Sequence, residues 1–291
     1  MSLEINFSSK VFENRTREHN EYDKIALTIR QDIIKSLVLA KSGHPGGPLG
    51  ITDVMSVLFF GGNMKYESSN PDWSERDRFV LSAGHMAPVQ YSTLARAGYF
   101  PTDELNTLRK YGSRLQGHPG LDMHLPGIET SSGSLGQGVS IAVGMAMSDW
   151  IIDKNDRKVF CVTGDGELQE GASWEAAMAA GSHKLSNFCW IVDNNDCQID
   201  GRVKDILSVY PLKEKFESFN FDVIEIDGHD YKQIQSAFDR FNENQKNNGL
   251  PTCIIAKTYM GEGVSFMKDQ YKWHGNPPNE DQAETALSEL K

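Results

Sequence analysis

Ile25, Ile29, Ile33 and Leu37 recur every fourth residue, which lays an apolar stripe along one face of a helix. The pattern predicts that helix from about Tyr22 to Lys41, stopping near Gly43. Five later runs are short, apolar and largely β-branched or aromatic: Arg78–Leu81, Val159–Thr163, Phe188–Asp193, Phe221–Ile226 and Cys253–Thr258. Each lies close to turn residues and reads as a strand. Helical stretches separate most of them, among them Val139–Ile152, Trp174–Ser182 and Tyr231–Gln245. This alternation predicts an α/β fold, a doubly wound, mostly parallel sheet with helices on both faces. No repeat, low-complexity tract or Pro/Ser-rich linker divides the chain, so residues 1–291 are expected to form a single domain. It would carry an N-terminal segment, 1–21, and a C-terminal arm, 276–291, that opens with Pro277 and Pro278 and turns acidic.

Composition narrows the classes. A chain of 291 residues buries a core without staples. The longest unbroken apolar runs, Ala176–Ala180 and Phe188–Val192, are five residues, whereas a membrane span needs about 20. Twenty-nine basic against 40 acidic residues leave a net charge of −11 with no basic cluster, which argues against nucleic acid. Cys161, Cys189, Cys197 and Cys253 show no CxxC spacing, and three sit in strand-like runs. They read as reduced core residues of a cytoplasmic protein. The N-terminus has no apolar stretch of the kind a secretory signal needs.

Five of the eight histidines have a glycine neighbour: His44, His85, His118, His229 and His274. Such pairing puts imidazole on tight turns, where backbone can approach a ligand. Any one of them alone reads as a solvated loop residue; together they point to a histidine-lined cleft. His229, in DGHDY, fits a helix-entry turn set by Asp227 or Asp230, and His19 and His183 carry no such signal.

A second constellation lies at two predicted strand ends. Gly164-Asp165-Gly166 follows one strand at once, and Asn194-Asn195 follows the next. Parallel strands of a βαβ unit would deliver Asp165 and Asn195 to the same sheet edge, where open α/β sheets bind ligands. A carboxylate and an amide oxygen there suit a hard divalent cation, most simply magnesium carried by a diphosphate. A bare GDG is also a common turn; the pairing with NN is what makes the signal specific. The stretch SSGSLGQGVSIAVGMAMSDW adds a glycine-rich loop before a helix, with Gly133, Leu135, Gly136 and Gln137 placed to meet a cofactor. The dinucleotide fingerprint G-x-G-x-x-G after a first strand is not matched, which weakens NAD.

These residues carry a resemblance. GDGELQEGASWEAAMAAGSHKLSNFCWIVDNNDCQIDG is similar to the thiamine diphosphate motif in the form transketolases carry. SGHPGGPLG, DRFVLSAGHMAP, QGHPG with MHLPGIETSSGSLGQG, and KWHGNPP resemble the other transketolase signatures in the family's order, from about Tyr22 to Pro278. The chain resembles the N-terminal, diphosphate-binding half of the family, and within it the N-terminal subunit of split transketolases. The resemblance implies transfer of a two-carbon ketol unit from a ketose to an aldose, commonly as sugar phosphates, in carbohydrate metabolism such as the pentose phosphate pathway.

It further implies thiamine diphosphate with Mg2+, or Ca2+, as cofactors. Asp165 and Asn195 would be metal ligands, joined by the backbone carbonyl of Cys197. Gly166 would meet the diphosphate, Gly133 and Leu135 the middle of the cofactor, and Ile199 the thiazolium ring. His85 and His274 would line the cofactor and substrate pocket, while His44 and His118 would serve donor-sugar hydroxyls or proton transfer. Glu170 would lie near the subunit interface. A two-residue difference before LPGIE makes His124 an extra candidate, and the loop between Gly261 and His274 differs from that of longer transketolases. The glutamate that acts on the aminopyrimidine ring and the basic residues for sugar phosphate would come from a C-terminal partner subunit carrying the pyrimidine-binding domain, in an α2β2 assembly. Other readings stay open: a split ketolase for a branched or sulfonated sugar, a noncatalytic thiamine diphosphate-binding scaffold, or a nucleotide-dependent α/β enzyme.

Overall fold

The computed structural model describes residues 5–247 and 249–291. In chain order the elements are α1 (His19–Ala40), α2 (Gly46–Phe60), β1 (Arg78–Leu81), α3 (Ala87–Arg96), α4 (Gln137–Met147), β2 (Val159–Gly164), α5 (Gly171–Ser182) and β3 (Phe188–Asn194). Then follow the short pair β4 (Cys197–Gln198) and β5 (Gly201–Arg202), α6 (Val203–Ile206), α7 (Leu212–Ser218), β6 (Asp222–Asp227), α8 (Tyr231–Lys246), β7 (Thr252–Lys257) and α9 (Glu280–Glu289).

The main sheet has the order β1-β2-β3-β7-β6, and every neighbouring pair in it is parallel. The five runs read as strands supply it, with ends shifted by at most one residue. Alternate strand residues face opposite sides. Phe79, Leu81, Phe160, Val162, Ile191 and Ile254 join the core under α1, α2, α3, α8 and α9. Val80, Cys161, Phe188, Trp190, Val192 and Ile255 join the other core, under α4, α5 and α7. The doubly wound α/β architecture therefore follows from strands that are apolar on both faces, with the edge strand β6 carrying the exposed Glu225.

Helix α1 begins three residues before the expected Tyr22, and its stripe of Ile25, Ile29, Ile33 and Leu37 is fully buried. Its buried Asp32 accepts two hydrogen bonds from Arg96 of α3, both at 2.7 Å. Arg96 also donates to the carbonyls of Ser8 and Lys10, so one guanidinium ties the N-terminal segment to the helical layer. The stretch 276–291, expected as an arm, instead carries α9, which docks on α1 through the buried Ala283, Ala286 and Leu290. An Asn279–Gln282 capping box starts it. All four cysteines are buried and unpaired. Among the described residues no helix is long and apolar enough to cross a membrane.

Candidate functional site

Strand β1 leads directly to α3 on one face and β2 to α5 on the other, so a crevice opens beyond their carboxyl ends. There the chain forms a cavity of about 360 Å³. The β2–β3 register sets Gly164 beside Asp193, and both Asp165 and Asn195 emerge at this edge. Cys197, Gly166 and Ile199 line the same cavity, with Ile199 65% exposed at its rim.

Asp165 is buried, and its carboxylate accepts the N–H groups of Gly166 at 2.8 Å and Asp196 at 2.6 Å, and the Tyr210 hydroxyl at 3.2 Å. No lysine or arginine is among these partners. Burial, and then the nearby Asp193, push its pKa up to about 7, and burial pushes Asp193 up to about 6. Asn195 donates from Nδ2 to Asp193 at 2.8 Å and accepts the Cys197 N–H on Oδ1 at 2.9 Å. The opposite amide orientation would set two oxygens against each other, so Oδ1 lies on the loop side with a lone pair to spare. Two buried carboxyls with no lysine or arginine among their hydrogen-bond partners, beside an amide oxygen, fit a hard divalent cation by charge and donor type. Among the described residues no group of three or more His, Cys, Asp or Glu side chains forms a metal site.

Four histidines close the cavity from the other side. The rings of His44, His85 and His274 pack together with centroids 5.2, 5.6 and 4.9 Å apart. His118 also lines the cavity. Burial, helped by the other rings, lowers the pKa of His85 well below the ordinary value and that of His44 to about 4. His274 is lowered by burial, and His118 by burial and then by Arg109. At neutral pH these imidazoles are uncharged, each with one donor and one acceptor nitrogen. Nδ1 of His44 and Nδ1 of His274 are buried without a hydrogen-bond partner, the signature of a polar wall that a ligand satisfies.

The glycine-rich loop completes the lining with Gly133 and Leu135. Gly133 has φ +136°, and a Cβ there would meet the His118 ring at 2.8 Å. A Cβ on Gly84 would in turn meet the backbone of Gly133 at 2.7 Å. Only glycine lets these two turns pass.

Glu170 lines the rim as the residue preceding α5. His124 is exposed, ends a short 3-10 turn and stays out of the cavity. His229 sits on the turn before α8: its N–H donates to Asp227 at 2.9 Å, and its ring bonds Asp53 at 2.7 Å and accepts the Tyr259 N–H at 3.1 Å. Sequence reasoning passed over Glu167, Gln169, Gln198 and Met260, which also line the cavity. Glu167 is buried, and burial pushes its carboxyl up to about 7.

Residues 22–290 match the family described as transketolase, thiamine diphosphate binding domain. The chain belongs to this family. It is 40% identical over 278 residues to a subunit of the apulose-4-phosphate transketolase of Actinobacillus succinogenes, a match covering 94% of this chain and 97% of that one. It is 39% identical over 274 residues to a 6-deoxy-6-sulfo-D-fructose transketolase subunit of a Clostridium species, covering 92% and 97%. The crystal structure of Campylobacter jejuni transketolase superposes with a TM-score of 0.87 at 37% identity, covering 94% of this chain but 43% of that one. The chain thus spans nearly the full length of these subunit relatives and less than half of that transketolase.

Proposed function

We propose that this protein is the diphosphate-binding subunit of a split transketolase, moving a two-carbon ketol unit from a ketose donor to an aldose acceptor. The observation that carries the reading is the convergence of the Asp165–Asn195 edge and four neutral histidines on one cavity. When bound, thiamine diphosphate supplies the nucleophilic carbon and the electron sink for cleaving and forming the carbon–carbon bond.

The chain's own residues bind and orient. Asp165, Asn195 and the Cys197 carbonyl hold Mg2+, and Gly166 leaves its backbone clear for the diphosphate. Gly133 and Leu135 would support the middle of the cofactor, and Ile199 would offer it an apolar surface. His85 and His274 orient ligand groups across the pocket. His44 and His118 donate to and accept from sugar hydroxyls and carry protons between them, which neutral imidazoles can do at neutral pH.

A partner subunit completes the site. Two features support this: these relatives are themselves named as transketolase subunits, and exposed Ile141, Met178, Ile206 and Leu207 lie on α4, α5 and α6 or just beyond it. We assign Glu170, at the rim, to that junction, and the assembly to an α2β2 heterotetramer in the cytoplasm. The names of the relatives favour, as a second reading, a specialised sugar phosphate or sulfo-sugar over the pentose phosphate pathway. Profiling of donors and acceptors with the reconstituted complex tests both: ketol transfer with thiamine diphosphate and Mg2+ is expected, and its absence for every ketose tried overturns the assignment.

A further inference from the structure

Helix α4 starts at the glycine-rich loop, yet its N-cap position is Gly136, which has φ +81° and no capping side chain. The first N–H groups of a helix need acceptors. Two of them find acceptors on other elements. The Gly136 N–H donates to Glu167 Oε1 at 2.8 Å. The Val139 N–H donates to Ser82 Oγ at 2.8 Å, and the Ser82 hydroxyl donates in turn to the same Glu167 oxygen. Glu167 lies on the 3-10 turn Gly166–Gln169 directly after β2, and Ser82 directly follows β1.

Close packing holds the parts together. A Cβ on Gly138 would meet Ser82 Cα at 2.6 Å, so α4 can rest on the end of β1 only through glycine. Glu167 is 2% exposed. Its carboxylate also sits where the partial positive charge of the α4 N-terminus favours an anion. Immediately upstream of Gly136 lie Gly133 and Leu135, the loop residues that line the cavity.

We propose that Glu167 is a positioning residue for the cofactor: it caps α4 from outside the helix and thereby fixes the path of the Gly133–Leu135 loop. The carboxylate acts through two N–H groups and a serine hydroxyl rather than by touching the reacting atoms. The positioning role rests on the reading of the cavity as the thiamine diphosphate site; the clamp itself does not.

Amide hydrogen exchange on the cofactor-free chain tests the clamp. E167A is expected to speed exchange at Gly136 and Val139 by about tenfold, the loss of one charge-assisted hydrogen bond. Amides of β2 and β3 should keep their rates, which separates a local clamp from general loosening. E167Q keeps a carbonyl acceptor in place and is expected to hold both rates within about threefold of the wild type. Should E167A fail to fold, S82A is expected to release Val139 alone.

Calorimetric titration of thiamine diphosphate with Mg2+ into the assembled enzyme tests the positioning role. E167A is expected to weaken binding by about tenfold, with rescue by E167Q and little change in kcat at saturating cofactor. Unchanged exchange at Gly136 and Val139 in E167A, or equal effects of E167A and E167Q, overturns the clamp. Wild-type protein that binds no thiamine diphosphate overturns the cofactor reading, and the positioning role with it, whatever the exchange rates.

Discussion

The carboxylate of Asp165 accepts the backbone N–H of Asp196 at 2.6 Å, so the turn beyond β2 is tied to the loop beyond β3. This bond sets the carboxylate beside Asn195 before any ligand arrives. D165A and N195A are each expected to weaken Mg2+-dependent thiamine diphosphate binding by about 100-fold or more, because even outer-shell partners of a metal are worth about 10–100-fold. Calorimetry at fixed Mg2+ measures this, and near-normal binding by both variants would remove the metal edge from the account.

In the proposed function the histidines divide by task. H44A and H118A are expected to lower kcat by about 10²-fold or more, the ordinary range for a lost acid–base group, while cofactor affinity stays within a few-fold. Steady-state kinetics on the complex, with separate cofactor titrations, checks this. A noncatalytic scaffold would tolerate both changes.

Burial makes these imidazoles a source of acid sensitivity. His44 has a folded-state pKa of about 4 against an ordinary 6.5, so between these values the unfolded chain takes up a proton that the folded chain refuses. The stability tied to His44 is therefore complete above pH 6.5 and is lost as pH falls toward 4. His85, His118 and His274 shift in the same direction. Thermal midpoints measured across this range should fall with acidification, and H44N should flatten the slope. Parallel curves for the two proteins would contradict the assignment.

The Asp32–Arg96 pair is almost fully buried. Breaking such a pair from one side costs about 3–5 kcal/mol, because it leaves an uncompensated buried charge. R96L is expected to lose about that much in chemical denaturation. Adding D32L should recover part of the loss, and a double variant no better than R96L would mean that the Ser8 and Lys10 contacts dominate.

What was legible in the sequence follows from where each signal comes from. Four of the main-sheet strands stood out because both of their faces are apolar, the edge strand β6 through Val223, Ile224 and Ile226, and α1 because one of its faces is polar. Helix α2 was silent for the converse reason: all fifteen of its residues are buried, so no amphipathic period marks it. Helix α3 is buried throughout in the same way. The site histidines were visible through their glycine neighbours, and Asp165 and Asn195 through their places after two strands. Glu167 was hidden because a glutamate at a helix-like turn ordinarily reads as solvated; only the fold shows that Ser82 and Gly136 converge on it. The docked α9 did carry a signal, the Asn279–Gln282 cap followed by Ala283, Ala286 and Leu290, but the two prolines before it suggested an arm.

The central claim is that this chain holds the magnesium and diphosphate half of a ketol-transfer site and needs a second subunit to turn over. Ketol transfer should be measured with thiamine diphosphate and Mg2+ for the purified chain alone and for the chain combined with the companion polypeptide that co-purifies with it. No turnover above background is expected for the chain alone, and restored transfer for the complex. Robust ketol transfer by the chain alone would contradict the claim.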